Sequence, residues 1–144
     1  MTKITDQIWL GNSDAAANGD IRSEGIDAML NCAHDLQPAR GWDQGVLYAH
    51  CGLVDGPGNN SAAYHAAVCQ LANLVALGKR VMVYCHKGES RSVAVVILHL
   101  HATAGRQGWD HYRTLIHDKR PLPEGQPNWA HKEAFNRMDW RFLK

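Results

Sequence analysis

The chain lacks what would place it in a membrane or outside the cell. No apolar run approaches the roughly 20 residues that a spanning helix requires, and the opening MTKITDQIWLG has no apolar leader core, which predicts no secretory signal. An excess of charge of one sign is also missing. Fifteen Lys and Arg face 14 Asp and Glu, a net +1, so nothing in the balance calls for nucleic acid or an anionic membrane surface as a partner. Cysteine is sparse: Cys32, Cys51, Cys69 and Cys85 form no C-x-x-C pair and no disulfide framework, and reduced thiols in a cytoplasmic protein are the simplest expectation. No repeat, low-complexity tract or shift in composition marks a second unit. Residues 1–144 are therefore expected to form a single domain with room for one sizeable core. With 45% hydrophobic and 20% charged residues, the composition is that of a globular chain and not a disordered one.

What is present is organised around residues 81–98, VMVYCHKGESRSVAVVIL. Residues 81–84 are a short apolar run rich in β-branched side chains, which predicts a strand buried on both faces. Residues 93–98 open a buried helix that ends near Gly105. Between them lie Cys85, His86, Lys87, Gly88, Glu89, Ser90, Arg91 and Ser92. A strand, a tight polar loop and a helix N-terminus together make an anion site, because backbone N–H groups converge there and the helix dipole adds partial positive charge. Arg91 adds a planar fork of donors suited to a phosphate-like oxyanion. Cys85 stands at the lip of that site, where the same donors favour a thiolate able to attack what they hold.

In chain order, residues 8–10 read as a first strand ended by the Gly11-Asn12 turn. Ser13 or Asp14 is expected to cap a helix running to about Glu24, with Gly25 as its stop. Residues 26–33 and 46–53 read as strands, residues 41–45 as loop, and residues 54–60 (VDGPGNN) as a second loop. A helix begins after Asn60 or Ser61, shows Tyr64, Val68, Leu71 and Val75 on one face, and stops at Gly78. Trp109 to about Lys119 forms another, with Trp109, Tyr112 and Ile116 on one side. Pro121, Pro123, Gly125 and Pro127 break it, and a last helix from Asn128 carries Ala130, Ala134, Met138 and Phe142 on its stripe. Strands separated by helices predict an α/β fold: a central, mostly parallel twisted sheet of about four to five strands flanked by helices, with its ligand crevice at the C-terminal strand ends.

Cys85 followed by five residues and then Arg91, with Gly88 inside and Ser92 just after, resembles the C-x5-R-S/T phosphate loop of cysteine-based protein tyrosine phosphatases. The compact dual-specificity branch is the nearest match. IWLGN, a helix and IDAMLNCA resemble its opening, and an acidic loop about thirty residues before the nucleophile fits its order. Arg120-Pro121 and Pro127-Asn128 resemble its closing R-P…P-N feature, here spread wider. The resemblance implies hydrolysis of phosphoprotein monoesters through a phosphocysteine, without a cofactor. Cys85 is then the nucleophile, Arg91 grips the equatorial oxygens, and the loop residues His86, Lys87, Gly88, Glu89 and Ser90 line the phosphate site.

Ser92 is expected to stabilise the sulfur as leaving group, or to serve as an ordinary helix N-cap, or both. Asp55, in the 54–60 loop where the family places its general acid, is the best proton donor, set against an Asp-Gly turn residue. Asp35 and Asp43 are weaker candidates. Tyr84 departs from the family, which usually has His before the nucleophile; a phenol donates a hydrogen bond but carries no positive charge. Glu89 opposes highly charged polyphosphate ligands, and Lys87 and protonated His86 offset it. Nine histidines assemble no metal site: His99 and His101 lie two apart on a helix and face different sides, and His65 with Cys69 supplies only two ligands. Cys32 stands in an N-C-A setting similar to that of a cysteine that closes a reversible disulfide onto the nucleophile in lipid-phosphatase relatives; a packing role is the even alternative. Two other functions stay open: a phosphatase for a non-protein phosphoester, and a phosphoprotein-binding pseudophosphatase. Oligomeric state is not legible.

Overall fold

The computed structural model describes residues 1–19, 21–37 and 45–142. Most of the loop expected at 41–45, with Asp43, lies outside the described residues, as does the Phe142 side chain. The strands are β1 (Thr2–Lys3), β2 (Ile8–Gly11), β3 (Ala28–Ala33), β4 (Leu47–Leu53) and β5 (Val81–Tyr84). They form one sheet in the order β1-β2-β5-β3-β4, with β1 antiparallel to β2 and all other pairs parallel. The helices are α1 (Ser13–Asn18), α2 (Ser61–Ala76), α3 (Arg91–Thr103), α4 (Trp109–Lys119) and α5 (Trp129–Arg137). β1 was not expected from sequence. A two-residue edge strand carries no alternation, and only its pairing with Trp9 and Leu10 defines it.

β5 is central and its four residues are all buried, as its unbroken apolar run predicts. Alternation sends Val81 and Val83 into the cluster shared with α2, α3 and α4. Met82 and Tyr84 go into a second cluster with Ile21, Ile26, Met29 and Val46 on the other face. Each such buried Val contributes about 1.5–3 kcal/mol over an exposed one. α3 is buried on every side from Arg91 to His101, packed between the sheet, α2, α4 and α5. Burial pushes the ring of His99 down to about 4, so that histidine is neutral at physiological pH.

Several boundaries move. α1 is capped by Asn12, whose side chain accepts from the Ala15 N–H, and it ends at Asn18 and not near Glu24, because Gly19 turns extended (φ −73°, ψ 154°). β3 and β4 start at Ala28 and Leu47, later than 26 and 46. α5 stops at Arg137, so Met138 is an extended cap residue; the buried face is Ala130, His131 and Phe135, with Ala134 and Met138 only partly covered. The large Phe135 ring takes over that face, packing on His101, Trp109 and Trp140 at 4.8, 5.7 and 5.1 Å between centroids. α4 matches its expected face, with Trp109, Tyr112 and Ile116 buried, and α2 (capped by Asn60) matches at Tyr64, Val68 and Leu71, whereas Val75 is only partly covered. No helix among the described residues is long and apolar enough to cross a membrane.

Candidate active site

The loop from Cys85 to Ser90 joins the C-terminal end of β5 to the N-terminus of α3, at the point where strand order reverses between β2 and β3. The first turn of any α-helix leaves N–H groups without intrahelical partners, and here that turn faces the loop. Tight closure depends on Gly88, whose φ of +71° lies in the left-handed region; a Cβ there would sit 2.6 Å from the carbonyl oxygen of Gly11. The loop carbonyls are drawn outward. Arg120 donates from Nε to the Gly88 carbonyl (3.1 Å) and from Nη2 to that of Lys87 (3.5 Å), while its Nη1 donates to Thr2 Oγ1 (3.1 Å). Ser13 donates from its backbone N–H (3.0 Å) and its hydroxyl (3.2 Å) to the His86 carbonyl. Carbonyls held outward leave the loop interior to donors.

Cys85 is 3% exposed, and its Sγ lies 3.1 Å from Ser92 Oγ. Ser90, not Ser92, is the N-cap of α3, so the capping alternative for Ser92 fails: its hydroxyl is committed to the sulfur. Arg91 is 6% exposed. Its Nη1 donates to Asp35 Oδ1 (3.0 Å) and to the Leu53 carbonyl (3.1 Å), whereas its buried Nε has no hydrogen-bond partner. One edge of the guanidinium is anchored, and a buried donor remains that an oxyanion satisfies. Asp35 also meets His86 Nε2 at 3.1 Å. The Arg91 guanidinium holds the Asp35 carboxyl down at about 2, so it is ionised at neutral pH and has no proton to give. Asp35 is an anchor for Arg91, a role that no feature of its sequence neighbourhood signals.

Asp55 reaches the same loop from the β4–α2 connection. Its Oδ1 accepts from Ser90 Oγ (2.6 Å) and lies 3.1 Å from His131 Nε2. Of the other loop residues, His86 and Lys87 are exposed and Glu89 is half-buried. Cys32 is fully buried one residue beyond Asn31, which pairs with Tyr84 on β5 and His50 on β4. It thus stands between Cys85 and Cys51. Burial pushes its thiol up, and Cys51 and then Cys85 add to the rise. All four cysteines are free. Tyr84 turns its ring to the opposite face of the sheet, among Met29 and Met82. Among the described residues, no cluster of three His, Cys, Asp or Glu is arranged to hold a metal ion.

The structure thus brings Cys85, Arg91, Ser92, Ser90 and Asp55 together. Sequence reasoning missed Asp35 as an anchor, Arg120 as the brace of the loop, and His131 as a partner of Asp55. The Arg120-Pro121 pair was the only signal for any of these.

No protein-family model matches the chain. Dual specificity protein phosphatase 1 of Arabidopsis thaliana is 29% identical over 127 residues, covering 87% of this chain and 62% of that protein, so the chain spans less than two thirds of that relative. The crystal structure of DUSP15 superposes with a TM-score of 0.82 at 21% identity, over 99% of this chain and 91% of that one. Human tyrosine phosphatase-like serine/threonine/tyrosine-interacting protein gives 0.81 at 19%, over 100% and 98%. The chain therefore has the fold of these phosphatase-like structures, and its sequence is similar to that of a dual specificity protein phosphatase.

Proposed function

We propose that the chain hydrolyses phosphoprotein monoesters, phosphotyrosine and also phosphoserine or phosphothreonine, through a phosphocysteine intermediate in a reducing, cytoplasmic setting. The observation that carries this reading is a sulfur–hydroxyl contact of 3.1 Å between Cys85 and Ser92 beside an Arg91 whose buried Nε lacks a protein partner. The Cys85 thiolate attacks phosphorus, and the P–O bond to the leaving group breaks. Arg91 and the loop N–H groups hold the three equatorial oxygens as charge develops on them. Asp55 gives its proton to the leaving oxygen, which as alkoxide or phenoxide departs poorly. Water then attacks the phosphocysteine, returns a proton to Asp55, and expels the sulfur while the Ser92 hydroxyl donates to it. No cofactor enters. Cys32 is the proposed redox partner of Cys85.

Hydrolysis of 4-nitrophenyl phosphate without added metal, with orthovanadate bound at residues 85–91, tests the reading. Cys85→Ser abolishes turnover and keeps oxyanion binding; Arg91→Ala loses both. Turnover surviving in Cys85→Ser ends the covalent mechanism. A second reading, phosphoprotein binding with little turnover, is favoured by Tyr84, which supplies no cationic partner for the sulfur and packs on the other face of the sheet. Oxyanion binding by a wild type that lacks turnover would select it.

A further inference from the structure

His131 belongs to no part of the mechanism above, yet it is completely buried and touches the acid. The hydrogen-bond directions around it follow from counting donors. The Asn59 side chain is oriented unambiguously: its Oδ1 accepts from the Val54 N–H (2.9 Å) and its Nδ2 donates to the Val54 carbonyl (2.8 Å). The second hydrogen of Nδ2 is shared between Tyr64 Oη (3.2 Å) and the more distant Gly56 carbonyl (3.4 Å). Tyr64 Oη is thereby an acceptor on that side, and its single hydrogen is left for His131 Nδ1, 2.6 Å away. An Nδ1 that accepts is bare, so the ring proton resides on Nε2 and points to Asp55 Oδ1 at 3.1 Å. Burial lowers the pKa of His131, which keeps the ring neutral and this tautomer in place.

A second chain of donors reaches the same oxygen. The Asn128 N–H donates to Ser90 Oγ (2.9 Å), so the Ser90 hydroxyl hydrogen goes to Asp55 Oδ1 (2.6 Å). Oδ1 thus accepts twice, and a proton carried by Asp55 rides on Oδ2. We propose that His131, held as the Nε2-protonated neutral tautomer by Tyr64, is a positioning residue for Asp55: it reserves Oδ1 as acceptor and assigns the transferable proton to Oδ2. When that proton moves to the leaving oxygen, the new negative charge falls on a carboxylate already met by two aligned donors, with no reorganisation at the moment of transfer. The return proton from water lands on the same Oδ2.

This inference rests on Asp55 as the general acid, and its test separates the two. Rates on phenyl phosphate, whose leaving group needs the proton, are compared with those on 4-nitrophenyl phosphate, which needs it far less. Asp55→Asn is expected to slow phenyl phosphate about 100-fold or more and 4-nitrophenyl phosphate much less. His131→Phe, close in volume and without a donor, slows phenyl phosphate about 10-fold in kcat with KM unchanged, and 4-nitrophenyl phosphate no more than about twofold. His131→Gln restores most of the loss, and the Asp55→Asn/His131→Phe double variant is no more leaving-group-sensitive than Asp55→Asn alone. Nitrogen-15 NMR of the wild type shows a neutral His131 with the proton on Nε2, and Tyr64→Phe loses this single tautomer and moves the rate ratio in the same direction. If His131→Phe does not fold, the wild-type tautomer and the Tyr64→Phe ratio decide. A proton on Nδ1, or leaving-group sensitivity unchanged in His131→Phe or Tyr64→Phe while Asp55→Asn changes it, overturns the inference and leaves Asp55 as the acid. Insensitivity of Asp55→Asn itself overturns both.

Discussion

Replacing Gly88 with Ala isolates the geometry of the phosphate loop from its chemistry, because no reacting group is touched. Two costs add. The backbone at Gly88 has φ +71°, a region that costs an L-residue about 1–2 kcal/mol. The new Cβ would also lie 2.6 Å from the Gly11 carbonyl oxygen and 3.0 Å from its carbon, which are backbone at the end of β2 and cannot rotate away. Relieving such overpacking typically costs about 1–3 kcal/mol. The third neighbour, Arg120 Nη2 at 2.6 Å, can swing clear, but only by loosening the brace on the Lys87 and Gly88 carbonyls. The sum is about 2–5 kcal/mol, and at roughly 3 °C per kcal/mol for a chain of this size the midpoint falls by about 6–15 °C. Thermal melting and orthovanadate titration measure the two consequences together. A protein that relaxes by opening the loop loses oxyanion affinity and keeps more of its melting temperature; one that holds the loop does the reverse. Gly88→Ala melting within about 2 °C of wild type and binding vanadate equally well would refute the close approach of the loop to β2.

Asp35→Asn should weaken oxyanion binding by releasing Arg91 Nη1. Its stability effect has a pH signature: the Asp35 carboxyl is held at about 2 in the fold, below the ordinary ~3.9, so its contribution is present above pH ~4 and disappears as pH falls through about 2. Because the Asp35 side chain is 49% exposed, the difference should stay near or below ~1 kcal/mol, with wild-type and variant melting curves converging in strong acid. Tyr84→His should speed turnover of 4-nitrophenyl phosphate at neutral pH; an unchanged rate means the loop donors and Arg91 already suffice for the sulfur. Mild peroxide should inactivate the protein reversibly through a Cys32–Cys85 bond: Cys85 is oxidised to the sulfenic acid, and the Cys32 thiol condenses with it, its proton leaving with the sulfenic hydroxyl as water. The basis is adjacency: Asn31 pairs with Tyr84 on the neighbouring parallel strand, and Cys32 and Cys85 are the next residue of each. Peptide mapping that finds only a Cys32–Cys51 link, or Cys32→Ser recovering as well as wild type, would leave Cys32 as packing.

How far the sequence carried the reading depended on whether a signal was local. β5, its loop and α3 were legible because strand, turn and helix chemistry sit within eighteen consecutive residues, and the buried face of α4 was legible from the spacing of Trp109, Tyr112 and Ile116. Asp55 was found through a loop rich in Gly and Pro that follows a strand. Asp35, Arg120 and His131 act across 56, 32 and 76 positions of sequence, on Arg91, Gly88 and Asp55 respectively. Asp35 and His131 carry no mark in their own neighbourhoods, and Arg120 only that of the Arg120-Pro121 pair: His131 looks like one more residue of a short amphipathic helix, and only packing aims its ring at Asp55. α1 was overextended because its alanines favour helix, whereas the extended Gly19 ends it.

Because α3 is buried on every side while residues 54–60 are largely solvent-facing, the two halves of the site differ in how they open. The amides of α3 should exchange with deuterium only when the whole domain unfolds. Those of the Asp55 loop exchange through a local opening that gives up little more than the Asn59, Ser90 and His131 bonds. The α3 end of the candidate site is therefore a permanent fixture and the Asp55 loop a detachable one. Substitutions on the loose half should therefore cost little global stability, and those on the rigid half should weaken the entire fold.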